Sequence, residues 1–171
     1  ELIVRVSAVQ AVSEIDSRSG WDTLVQAMQS ELPVIRYCAA DIMGRLGKLE
    51  AIPHLIQAAS GPNPHVQSIA LDGLSRLNAI EALPLMIQAL DSQNDEVVFS
   101  AKQALMKLNN REMVCAALLQ NLSDSHTERR ASVIELLATM GERQIVPLLK
   151  DLLESDDSTL SMAAANGMLI L

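Results

Sequence analysis

Histidine, cysteine and carboxylate side chains are the groups able to do chemistry in this sequence, and their spacing gives no standard catalytic or ligating arrangement. His54, His65 and His126 are scattered. They show neither the HExxH pair of a zinc helix nor a mixed His/Cys pattern, and they read as surface or partly buried helix residues. Cys38 and Cys115 have no local context that would activate a thiolate, so they read as small helix-packing residues. Asp156 and Asp157 are better explained as charges at a helix start than as an acid/base couple. No Gly-rich phosphate loop and no GxSxG is present. The expectation is a chain without catalytic residues, metal site or cofactor.

A polar ladder is the one pattern that recurs. Gln10, Asp41, Asp72, Gln103, Glu135 and Asn166 follow one another at a nearly constant interval, and Arg45, Arg76 and Lys107 stand four residues after the middle three. Asp41 with Arg45 and Asp72 with Arg76 are i,i+4 pairs, which stabilise their own helices by a few tenths of a kcal/mol, ~0.3–0.5 each. Stacking the same helix repeatedly would also align these groups into parallel acidic and basic strips, bordered by Tyr37 and Phe99. Aromatic side chains beside arginines are what binding hot spots favour. The candidate protein-binding face is therefore Tyr37, Asp41, Arg45, Asp72, Arg76, Phe99, Gln103 and Lys107, set against the plainer reading that the charges only support their helices. Trp21, at the start of a helix, is assigned to covering a layer edge.

The elements that must position this ladder are tandem repeats. Residues 49–79 are restated by residues 80–110: Gln57-Ala58 returns as Gln88-Ala89 and looks back to Gln26-Ala27, Pro53 returns as Pro84, and Leu77-Asn78 as Leu108-Asn109. A fixed period of this length marks a repeat architecture. The pattern predicts a half repeat over 1–16, then repeats over 17–48, 49–79, 80–110, 111–142 and 143–171, each a helix A, a short turn and a helix B. Ala8, Ala39, Ala70 and Ala101 share a small-residue column for close packing, and Ile15, Leu46, Leu77 and Leu108 a large one between layers. Gly47, Asn78, Asn109 and Gly141 occupy a column suited to a left-handed helix cap, with Asp16 in that slot of the half repeat. Pro33 suits a first helical turn, Asp or Asn in the turns at 61–64 and 91–94 can cap helix B, and Ser125 with Glu128 forms a capping box. Between Leu108 and Leu118 the register slips by one residue.

Composition agrees. The chain has 171 residues, 49% apolar, with one Trp, one Tyr and one Phe, which fits many thin helix contacts better than one thick core. A formal charge of −8 argues against a phosphate-binding surface. Cys38 and Cys115 fall about two and a half repeats apart, too far for a disulfide at ~10 Å per helix layer, and free thiols fit a reducing compartment such as the cytoplasm. No apolar run approaches the ~18 residues of a membrane span. The chain opens without Met and both ends fall in helical pattern, so a fragment of a longer, bacterial-type protein is expected. The last helix is apolar through Met162, Met168, Leu169, Ile170 and Leu171, which predicts a further repeat or a partner over that end, with end-to-end self-association as one form.

These columns resemble HEAT-like repeats of the short type found in bilin-lyase relatives. The likeness rests on the Val-Arg step that opens helix B, present here as Val4-Arg5, Ile35-Arg36 and Arg129-Arg130. Gln67, Val98 and Ser161 depart from it. In such repeats the arginine bonds acidic or carbonyl groups of the neighbouring turn, so the resemblance implies structural roles for Arg5, Arg36 and Arg130 and an interrupted ladder at the departures. It further implies an all-α fold, a right-handed α-α superhelix (α-solenoid) of about five HEAT-like helical hairpins plus the N-terminal half repeat. The expected function is a non-catalytic scaffold or regulatory domain that binds a protein or peptide partner, with no nucleic acid and no membrane involved. The alternatives are a bilin-lyase-like chromophore-handling subunit and an accessory domain of a larger enzyme.

Overall fold

The computed structural model describes residues 18–123 and 127–171. The half repeat over 1–16, with Val4-Arg5, Ala8, Gln10, Ile15 and Asp16, lies outside the described residues, as do Ser125 of the expected capping box and His126. Among the described residues there are ten α-helices and no strand, so the protein is all-α. The chain forms two compact units, Glu1–Leu85 and Met86–Leu171, and within each the helical hairpins stack in chain order, the solenoid arrangement that the columns predict.

In the first unit α1 (Arg18–Met28) and α2 (Pro33–Leu46) make one hairpin, and α3 (Ile52–Ala59) and α4 (Pro64–Arg76) the next. Helix B packs on helix B, α2 against α4, while α3 covers α4 and α1 covers α2. Both B helices open on proline, whose missing N–H has no helical partner to lose. Asn63 Oδ1 accepts from the Val66 N–H at the start of α4. Left-handed residues end them, Gly47 at φ 70° and Asn78 at φ 52°. After α4 the Ala79 N–H reaches back to the Leu74 carbonyl and the Asn78 N–H to that of Ser75, which satisfies two orphan carbonyls of the last turn.

Ala39 and Ala70 are fully buried at the centre of this B-to-B contact, among Met43, Leu55, Leu71 and Leu74. One turn further on the helices approach more closely still. A β-carbon placed on Gly44 would stand 2.6 Å from Gly73 Cα, and one on Gly73 would meet Leu55 Cδ1 at 3.2 Å. The large-residue column is less uniform than the sequence implies. Leu77 is buried, but Leu46, the last residue of α2, is 37% exposed, although both stand just before a left-handed residue.

In the second unit the end of α5 (Leu83–Gln88) leads through a 3-10 turn, Ala89–Asp91, to α6 (Asp95–Lys107). Then follow α7 (Arg111–Gln120), α8 (Thr127–Thr139), α9 (Val146–Leu153) and α10 (Ser158–Ile170). Here too the main contact is B on B, α8 against α10, with α9 covering α10 and α7 covering α8. Ala101, Val133 and Ala164 continue the buried small column. Asn94 caps α6, Asn110 caps α7 and Asp157 caps α10. The left-handed cap reappears at Gly141, φ 73°, but not at Asn109. There α6 ends in the same column as α4, but Leu108 is extended (φ −62°, ψ 133°) where Leu77 is helical, which is how the extra residue of this repeat is taken up.

Gly44→Ala is expected to destabilise by about 2 kcal/mol, since overpacking against backbone outweighs the ~1 kcal/mol gained in helix propensity. Gly47→Ala, where nothing lies within 4 Å, carries only left-handed strain of about 1 kcal/mol. Thermal melts checking this pair should give the larger fall in Tm for Gly44→Ala.

Candidate functional site

Tyr37, Asp41 and Arg45 are spaced by four residues along α2 and so share one face, and Asp72 and Arg76 repeat the last two on α4. Because α2 lies directly on α4, the expected intrahelical pairs become a connected cluster. Arg45 Nη2 bonds Asp41 Oδ2 at 3.0 Å, and Arg76 Nη2 bonds Asp72 Oδ2 at 2.5 Å. Arg76 Nη1 also stands 3.6 Å from Asp41 Oδ1, in the preceding repeat. One guanidinium fork thus ties two carboxylates from successive B helices, a link the sequence reading did not include. Its signal was present as the sum of the repeat period and one helical turn. Two aspartates face two arginines here, so the cluster carries no net charge. Its side chains are 25–57% exposed, so each pair contributes only a few tenths of a kcal/mol, ~0.2–1.

Tyr37 is 39% exposed beside this cluster. One period later the same column holds Ser68, only 7% exposed, whose buried Oγ has no hydrogen-bond partner. In the second unit Phe99 is 63% exposed, with Gln103 half-buried and Lys107 exposed on the same face of α6. Glu135, the next member of the ladder, accepts from Lys102 Nζ at 2.6 Å and so joins α8 to α6. Lys102 was not among the residues singled out from the sequence. The structure therefore brings Tyr37, Asp41, Arg45, Asp72 and Arg76 together in one unit and Phe99, Gln103 and Lys107 together in the other.

Several helix-B opening residues act on turns, as the resemblance implies for Arg36. The buried Nε of Arg130, however, has no hydrogen-bond partner among the described residues, and its neighbour Arg129 makes the turn contact instead. Arg36 Nη1 donates to the carbonyls of Ser30 (2.6 Å) and Glu31 (3.1 Å). Arg129 Nη2 donates to Asp91 Oδ2 at 2.9 Å. The expected interruption at Gln67 is not found: its Nε2 donates to the Gly61 carbonyl at 2.6 Å, six residues back, as Arg36 does to Ser30. A primary amide reaches the same carbonyl without charge. Ser161 Oγ donates to the Leu153 carbonyl at 3.4 Å, a longer contact from a shorter side chain. Val98 has no donor to offer.

Neither cysteine is disposed toward nucleophilic chemistry. Burial pushes the Cys38 thiol above its ordinary value and the Asp41 carboxylate raises it further. Burial and Glu142 raise Cys115, against an opposing pull from Arg111. Both are free thiols. Among the described residues no group of three or more His, Cys, Asp or Glu is placed to hold a metal ion, and no helix is long and apolar enough to cross a membrane. The Trp21 ring meets His54 edge-on, with centroids 6.2 Å apart, and Lys48 Nζ lies 5.9 Å from its centre. It ties α1 to the following repeat, as expected of a residue at a layer edge. On α10, a helix without a charged residue, Met162, Met168, Leu169 and Ile170 are exposed, Leu169 at 86%.

Repeated A/B hairpins with B-to-B packing, helix-B openers hooked onto turns and a polar B face define an α-helical repeat protein. The chain belongs to the HEAT-repeat family, whose model matches residues 2–60, 52–132 and 115–170. No curated protein matches the sequence. Among solved structures it is similar to a chain in the complex of CpcE and CpcF of phycocyanin lyase from Nostoc sp. PCC7120 (24% identity, TM-score 0.58), covering 88% of this chain. It spans 64% of that neighbour's length. A designed armadillo repeat protein in complex with the peptide (KR)4 is also similar, at 16% identity and TM-score 0.52, over 96% of this chain and 91% of that one. At these identities the likeness is one of fold.

Two outcomes follow from the site. Ser68→Ala removes an unsatisfied buried hydroxyl and is expected to leave stability unchanged or raise it by about 1 kcal/mol, read from urea midpoints. Cys38, its thiol raised by burial and Asp41, should alkylate more slowly with iodoacetamide at pH 8 than a free thiol does. Asp41→Asn removes the smaller of the two causes and should speed that reaction.

Proposed function

We propose that this chain is a non-catalytic scaffold or regulatory domain that binds a protein or peptide along its helix-B faces, through Tyr37, Asp41, Arg45, Asp72 and Arg76 in the first unit and Phe99, Gln103 and Lys107 in the second. The observation that carries it is the Asp41–Arg76–Asp72 link beside the exposed Tyr37. A side chain spanning two repeats keeps an ordered, charge-balanced surface on a family fold that supplies no chemistry of its own. The peptide-bound armadillo neighbour supports the mode of binding, although its ligand is its own. Charge balance in the first unit favours a partner of mixed character anchored on the aromatic ring, and the excess of acid over base in the whole chain disfavours nucleic acid. Soluble cytoplasmic use fits this reading, with α10 as a second, apolar contact that a further repeat, a partner or another copy would cover.

Peptides selected from a random display library against the intact chain provide the test. The combined variant Tyr37→Ala, Arg76→Ala, Phe99→Ala should lose at least tenfold in affinity for them while its melting transition stays near that of the parent. Unchanged affinity would remove the helix-B faces from the proposal. The likeness to a phycocyanin lyase chain supports a second reading, a chromophore-handling subunit or an accessory domain of a larger enzyme. A shift in the visible absorbance of a linear tetrapyrrole on mixing would favour it over the scaffold.

A further inference from the structure

In the first unit, away from the polar ladder, a cleft of about 320 Å³ opens between the two hairpins where their turns lie side by side. Its lining includes Arg36, His54, Gln29 and Gln57 around an apolar floor of Met28 and Val66, and contains no Asp or Glu. In a chain with 21 acidic and 13 basic residues this is a local reversal of sign. Arg36 is held in place because Nη1 donates to two turn carbonyls, which leaves Nε and Nη2 with no partner among the described residues. His54 meets the Trp21 ring edge-on. Gln57 belongs to the recurrent Gln-Ala pair, which helix packing does not explain, since its side chain is exposed at the cleft.

We infer that this cleft binds a carboxylate, with Arg36 as the charged donor and His54 and Gln57 as further polar contacts. A pre-positioned guanidinium donates charge-assisted bonds about twice as strong as neutral ones, and the missing acidic lining removes the competitor that neutralises Arg45 and Arg76 on the ladder. The volume lies at the small end of ligand pockets, ~300–1,000 Å³. It suits a small dicarboxylic acid or one acidic side chain of a peptide. The inference does not depend on the proposed scaffold role, because none of its residues is in the ladder.

Trp21 is the only tryptophan and touches the His54 ring, so its fluorescence reports on the site. Titration of the intact chain with succinate should change that emission saturably, while sodium chloride at matched ionic strength and the neutral succinamide should not. Arg36→Gln keeps the turn bond, as Gln67 shows one repeat later, yet removes the charge. Gln57→Glu places an acid in the cleft at an exposed position. Each should weaken binding at least tenfold, with circular dichroism melts unchanged. A blocked tripeptide containing one glutamate distinguishes the source. Tighter binding than succinate identifies a peptide side chain, and equal or weaker binding identifies a free acid. Succinamide matching succinate, no saturable response to either acid, or affinity indifferent to both variants would overturn the assignment.

Discussion

How closely two B helices can approach decides most of what the first unit does. At Gly44 and Gly73 the backbones themselves are the contact surface, and a β-carbon on either would enter the space of the other helix or of Leu55. Two glycines inside helices cost about 1 kcal/mol each in propensity, so their place here makes sense only through what the approach returns: the buried Ala39 and Ala70 beside them, and dispersion contacts along the whole crossing. The same closeness brings Arg76 within reach of a carboxylate one repeat earlier. Packing and surface pattern are therefore one constraint. In the second unit Gly167 plays a related part, its missing β-carbon leaving room for Leu149 and Ala138, while Lys102 and Glu135 supply the link between B helices.

Much of this was legible in the residues, and the failures share a cause. Helix ends were readable because caps act locally: Pro33, Asn63, Asn94 and Asp157 each serve the turn they begin. The alanine column was readable because burial repeats with the period. Gly44 and Gly73 were passed over because a helical glycine looks like a local cost until the helix facing it is known. Arg76 was assigned to Asp72 alone because i,i+4 spacing stays within one helix, whereas its second carboxylate requires adding the repeat period. Asn109 had the right chemistry for a left-handed cap but not the right neighbours, since the extra residue in that repeat turned Leu108 extended. Leu46 shows the opposite error, in which a shared column was taken to mean shared burial.

Gln67 teaches something different. The sequence pattern asks for arginine there, and glutamine makes the same bond, a short contact to a carbonyl six residues back. At that slot any donor long enough can hold the turn, and Val98 one repeat later shows that the helix also forms without one. Charge is incidental to the hold. Arg36 does the holding with one nitrogen, which leaves the rest of its guanidinium available for recognition. A residue can be structural by one atom and functional by another, so a repeated arginine is weak grounds for assigning it to either role alone.

The ladder on the B faces is more ordered than it is charged. Because Asp41 and Asp72 are already matched by Arg45 and Arg76, a partner that offered only opposite charge would have to displace an internal counterpart, and exchange of one ion pair for another at an exposed site changes the free energy little. What the network provides is fixed geometry: Arg76 is held at two points, so it presents its remaining donors and its aliphatic stem without the full ordering cost of a mobile side chain. Affinity on such a surface has to come from desolvating an apolar group next to those fixed dipoles. Tyr37, exposed at the edge of the cluster, is a group in the first unit that would meet that requirement.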